Sequence, residues 1–113
     1  HIAGISGAGA QVEWTGVCSA LVNDGNACAQ LRDVAVALDL TPTAERPLSL
    51  GGDNFSEYLT QVPGCYAYLG TSNPALPNTL AGIHNGHFDL DEDALPFGAA
   101  LYAAAALRYL GAL

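Results

Sequence analysis

Residues 11–17 (Gln-Val-Glu-Trp-Thr-Gly-Val) alternate polar and apolar positions, with β-branched and aromatic side chains, and predict a strand. Asn23-Asp24-Gly25-Asn26 then offers helix caps. Leu31, Val34, Ala35 and Leu38 are spaced for one buried face, so a helix is predicted to about residue 40. Residues 41–47 hold two prolines and read as a loop, and 48–52 as a short extended piece ending in a tight turn. Asp53 caps a helix through Thr60 that buries Phe55 and Leu59. After the turn at 62–64, residues 65–70 (Cys-Tyr-Ala-Tyr-Leu-Gly) are apolar enough for a central strand. Residues 71–86 form a long loop with Pro74 and Pro77. Asp91 or Asp93 starts a terminal Ala-rich helix, with Pro96 in its first turn. Residues 1–10 are small and apolar and could end a helix, though three glycines oppose it. The order strand, helix, helix, strand, helix is an α/β piece, and two strands make a poor sheet for a free-standing domain.

The chain has 113 residues, of which half are hydrophobic and only 12% charged. So few charges point either to apolar surface meant for another domain or subunit or to an Ala- and Gly-rich composition bias. The net charge is −8, with no lysine and only Arg32, Arg46 and Arg108 as fixed cations. That argues against a nucleic-acid interface and against anionic membranes. Residues 99–113 are too short, and are interrupted by Arg108, to span a bilayer. No signal peptide is visible, and the lack of any methionine predicts a natural start elsewhere. Cys18, Cys28 and Cys65 are odd in number and form no CxxC pair. They read as thiols in a reducing compartment, the cytoplasm, with Cys28 and Cys65 as small buried hydrophobes.

Candidate chemistry concentrates in two places. His84 lies in a Gly/Asn-rich loop before Asp89, Asp91, Glu92 and Asp93. A neutral imidazole there can ligate a metal, or simply hydrogen-bond backbone. His87 follows three residues on, but Gly86 leaves its direction open. The four acids are general acid/base candidates by type, but Asp91, Glu92 and Asp93 read first as a solvated helix start that complements the macrodipole. In the second place, Gly51 and Gly52 allow backbone to approach a ligand, and Asp53 and Asn54 can hydrogen-bond it or cap the next helix. The GxGxxG, GKS and GxSxG patterns are missing. Trp14 and the tyrosines read as core or interface residues.

Three blocks in order carry a family resemblance. Residues 51–59 (Gly-Gly-Asp-Asn-Phe-Ser-Glu-Tyr-Leu) resemble the GGEDFSYYL segment of M20 metallopeptidases and amidohydrolases. Residues 62–70 resemble the VPGAFFFLG that follows, and residues 83–100 resemble LHNPxFDFDEDALPxGAA. Upstream, residues 16–24 are similar to the GYPAVVND stretch where the chain leaves the lid. Within that family the blocks look most like the aminoacylase, hippurate hydrolase and auxin-conjugate hydrolase group.

The resemblance implies an α/β fold: the C-terminal part of a three-layer α/β/α, zinc-exopeptidase-like catalytic domain over residues 18–113. Residues 1–17 would be the last helix and strand of a lid, or dimerisation, domain. It implies a two-metal zinc or manganese site that hydrolyses the amide bond of N-acyl amino acids or small peptides. His84 falls on the family's last metal ligand, while His87 falls on a variable position. Gly51, Gly52 and Asp53 would line the substrate cleft. No catalytic residue falls in this chain, because the general base and the other ligands belong upstream. The implied partners are therefore the upstream half of the catalytic domain and a second copy through the lid. Two departures stand out: Asp53-Asn54 replaces the family's Glu-Asp, and Ser19 replaces a proline near the lid exit. They leave room for the alternative of a non-catalytic structural or interaction module built on the same fold.

Overall fold

A computed structural model describes residues 2–16, 18–43 and 50–112. Four α-helices carry the architecture: α1 (Ile2–Ile5), α2 (Gly25–Ala37), α3 (Phe55–Leu59) and α4 (Leu95–Tyr109). Short 3-10 turns at Pro77–Leu80 and Glu92–Ala94 complete it.

Helix α2 forms where the apolar spacing places it. Asp24 caps it, its carboxylate accepting the Ala27 N–H at 2.9 Å. Val34 and Ala35 are buried and Leu31 and Leu38 half-buried, the stripe read from sequence. Its C-terminus closes with Asp39 in the left-handed region (φ 57°). The Asp39 N–H donates to the Val36 carbonyl at 3.0 Å and the Leu40 N–H to that of Ala35 at 2.9 Å, a Schellman closure. Gly7 and Gly111 close α1 and α4 with the same pair of bonds.

Helices α2 and α4 pack together. Leu101, Ala104 and Ala105 are the half-buried stripe of α4, and alanines let the backbones approach. Arg108 on α4 pairs with Asp33 on α2 at 2.7 Å. Both partners are exposed, so the pair contributes at most about 1 kcal/mol. Helix α3 is shorter than the sequence suggests. Asp53 stands one residue before its cap position, accepting the Phe55 N–H at 2.7 Å.

The two strands are not formed. Among the described residues no strand is present, so the α/β expectation is met in its helices only. Residues 11–16 carry the strand alternation, but Val12 and Trp14 are exposed and among the described residues no backbone pairs with them; Val17 lies outside the described residues. Residues 65–70 are irregular, and the groups that satisfy the Tyr66 backbone come from a side chain. The Asn23 amide accepts the Tyr66 N–H at 2.7 Å and donates to the Tyr66 carbonyl at 2.9 Å. It thus imitates one peptide unit of a missing neighbour strand. A ladder needs a run of such units, and one amide supplies only one. His1 and residues 44–49, which include Arg46 and the first two residues of the predicted 48–52 piece, lie outside the described residues.

The long loop is more ordered than its sequence suggests. Buried Thr79 gathers it, its hydroxyl accepting the Asn73 N–H at 2.8 Å and facing the Leu76 carbonyl at 2.7 Å. The Asp91 N–H donates to the Thr71 carbonyl at 2.9 Å, and Asn73 Nδ2 donates to Asp91 Oδ2 at 2.8 Å. The loop therefore delivers the chain to α4 in a fixed place. The Cα radius of gyration is 19.8 Å, against about 13 Å for a compact domain of this length. The apolar side chains accordingly remain largely open: Leu50, Trp14, Tyr102 and Tyr109 are each more than four-fifths exposed.

Candidate functional site

The turn that carries His84 is built by its neighbour. Asn85 Oδ1 accepts the His87 N–H at 2.9 Å, and the Asn85 carbonyl accepts the Phe88 N–H at 3.0 Å. His84, just before this turn, has φ 65° and is exposed. Left-handed backbone costs an L-residue about 1–2 kcal/mol. At Asp39, two capping bonds form around the strained residue. At His84, no hydrogen bond to backbone or ring forms among the described residues. The strain is therefore not explained by local capping, and the imidazole is free to bind an outside partner.

Around Asp53 the picture differs. Asp53 Oδ1 takes the Phe55 N–H, and Oδ2 accepts the Tyr66 hydroxyl at 3.2 Å. Burial, then the adjacent carboxylate, push the Tyr66 phenol above its ordinary value. The ring of Tyr66 stacks obliquely 5.3 Å from Phe55 and edge-on 5.2 Å from Tyr68. Ser56, almost fully buried, donates to the Asp53 carbonyl at 3.2 Å. Asp53 thus organises its own loop with both carboxylate oxygens. Gly51, Gly52 and Asp53 are exposed. A Cβ on Gly52 would lie 3.7 Å from Cys18 Sγ, an ordinary contact, and its φ is not left-handed. Nothing in the packing of the described residues requires glycine there.

Ser19 reaches the same region. Its N–H donates to Glu57 Oε1 at 2.8 Å and lowers that carboxyl below its ordinary value. A proline at this position could not make the bond.

Among the described residues no three His, Cys, Asp or Glu side chains gather where they could hold a metal ion. The residues present therefore do not fit a complete metal centre, and no chemical step can be routed through one. A cleft of about 440 Å³ opens between the start of α2 and the end of α3, beside Asn23, Leu59 and Pro63. It contains neither His84 nor Gly51, Gly52 or Asp53. Of the acids before α4, Asp91 caps the short turn that leads into the helix: its Oδ1 accepts the Asp93 N–H at 3.1 Å. The sequence reading missed the contact between Cys28 and Cys65, whose sulfurs lie 3.2 Å apart. It also missed Asn23 and Tyr66, though an Asn next to a capping Asp was a signal for side-chain bonding to backbone. Among the described residues no helix is long and apolar enough to cross a membrane.

Comparison with known proteins places these features in context. The sequence model described as peptidase family M20/M25/M40 matches residues 6–108. An IAA-amino acid hydrolase ILR1-like 4 of Arabidopsis thaliana is 38% identical over 61 residues, covering 54% of this chain and 14% of that protein. A thermostable carboxypeptidase 2 of Saccharolobus solfataricus is 37% identical over 60 residues, covering 53% and 15%. An N-acetylcysteine deacetylase of Bacillus subtilis is 29% identical over 104 residues, covering 92% and 26%. The chain thus spans about a quarter or less of the length of these relatives. No solved structure matches it.

Proposed function

This chain belongs to peptidase family M20/M25/M40, and from that premise we propose that it supplies the C-terminal part of a metal-dependent amide hydrolase. The family's peptidase domain supports the α/β class; the three-layer sheet is part of the proposal. So is the division into the end of a lid at residues 1–17 and catalytic domain at 18–113. In this reading segment 65–70 gains strand neighbours from the upstream half of the catalytic domain. The exposed apolar side chains of α1, residues 11–16 and α4 are covered by that half or by a second copy through the lid.

His84 contributes one ligand to a zinc or manganese centre whose other ligands and general base come from the upstream half. The observation that carries this is the strained, exposed and unbonded placement of His84 in a turn built by Asn85. A ligand bond is the compensation that the local structure omits. Gly51, Gly52 and Asp53 line the substrate cleft. The glycine at 52, which packing does not demand, supports close approach of a ligand to the backbone. Asp53 orients that loop through Tyr66 and Phe55.

The substrates are N-acyl amino acids or small peptides, the class shared by the relatives' names: amino-acid conjugates, N-acetylcysteine and carboxypeptidase substrates. We place the protein in the cytoplasm, a compartment that suits three free thiols. The test is hydrolysis of N-acetyl amino acids and dipeptides by the complete protein, by this chain alone, and by the complete His84→Ala variant. Turnover by the complete protein only, dependent on zinc or manganese, supports the reading. Equal turnover by the variant, or by the chain alone, overturns it.

A further inference from the structure

We propose that Cys28 and Cys65 form a redox modification site, a dithiol that closes to a disulfide by exchange with a low-molecular-weight disulfide and fastens the start of α2 to segment 65–70. The two residues are 37 positions apart, yet their sulfurs lie 3.2 Å from each other. The approach is built by the fold around them. On one side of Cys65 the Gly64 carbonyl accepts the Asp24 N–H at 2.9 Å. On the other side Tyr66 is held at both its N–H and its carbonyl by Asn23. Cys65 is thus bracketed by bonds to residues 23 and 24. Asp24 is also the cap of α2, and its carbonyl accepts the Cys28 N–H at 3.0 Å. One capping residue therefore positions both cysteines. Neither thiol is fully buried, so a small disulfide can reach them. Cys18 is exposed and lies beside Gly52 instead.

The exchange balances without any further oxidant. The Cys28 thiolate attacks one sulfur of the small disulfide, forms a mixed disulfide and expels one thiolate, which takes up a proton. Deprotonated Cys65 then attacks the Cys28 sulfur and expels the second small thiolate, which is protonated in turn. Two protein thiols are oxidised and the small disulfide is reduced to two thiols. Burial, and then the Cys28 contact, push the Cys65 thiol up to about 12. The contributions from Cys28 end once that sulfur is capped, whereas the burial of Cys65 remains, so the second step still accelerates as pH rises, following the thiolate fraction. A basic leaving sulfur also makes the closed form slow to reopen. This inference is independent of the metal reading and uses none of its residues.

The test uses the full 113-residue chain with Cys18→Ser, exposed to a reduced and oxidised glutathione buffer, quenched in acid and weighed. The expected product has lost two hydrogens and carries no glutathione. Cys28→Ser and Cys65→Ser each stop at a single glutathione adduct. The effective concentration of one thiol at the other is at least about tenfold higher in buffer than in concentrated urea. Asn23→Ala, which touches neither cysteine, lowers that advantage several-fold. Separate glutathione adducts on both cysteines, equal closure in buffer and urea, or no effect of Asn23→Ala would each overturn the proposal.

Discussion

His84→Gly should stabilise the fold relative to His84→Ala, although both remove the imidazole. The residue is exposed at φ 65°, so neither truncation sacrifices buried contacts. Alanine retains the left-handed penalty of an L-residue, about 1–2 kcal/mol. Glycine removes it, but loses about 0.5–1 kcal/mol through its greater freedom in the unfolded chain. The difference favours glycine by about 0–1.5 kcal/mol, with a central value of about 0.75 kcal/mol. At an ordinary helical or extended position the sign is reversed, with alanine ahead by a similar amount. Urea unfolding followed by far-UV circular dichroism reads the difference as a shift in midpoint at constant slope. A glycine variant less stable than the alanine variant would refute the strained turn, and with it the argument that the ring is held for an outside partner.

Other substitutions test other parts. Thr79→Val is close to isosteric but leaves the Asn73 N–H without its partner, and should cost about 2 kcal/mol, with faster amide exchange at Asn73. An unchanged exchange rate would contradict the role given to Thr79. Ser19→Pro removes the donor to Glu57, whose carboxyl should rise toward its ordinary value near 4.5 in a carbon-detected titration. Because that group is lowered in the fold, its stabilising contribution is present above the ordinary carboxylate range and is lost as pH falls through the lowered value. The proline variant should therefore lose less stability on acidification. Gly52→Ala in the complete protein should leave stability within about 0.5 kcal/mol and raise KM for N-acyl amino acids. An unchanged KM would remove Gly52 from the cleft.

Helices were legible in the sequence because their determinants are local. The Leu31, Val34, Ala35, Leu38 stripe and the Asp24 cap lie within a few turns of one another, and α2 follows them. The three-block resemblance likewise anticipated the family. Strands were not legible in the same way. Alternation at residues 11–16 and apolarity at 65–70 state a willingness to pair, but pairing needs a neighbour, which local sequence does not supply. Tyr66 finds a substitute in Asn23, an arrangement no periodicity encodes. Asp91 and Asp93 were read as helix-start acids, and Asp91 plays that part. Asp53 was read as a cap or a ligand-binding group, whereas its two oxygens spread over Phe55 and Tyr66, the second thirteen residues away. The meeting of Cys28 with Cys65 is a product of tertiary closure, beyond the reach of spacing rules.

The claim that His84 completes a metal centre is tested most directly by the metal content of the complete protein and its His84→Ala variant after equilibration with zinc or manganese and gel filtration. The account predicts that the variant retains one ion fewer per chain than the parent while unfolding at a similar urea concentration. Equal metal content in the two proteins would contradict it.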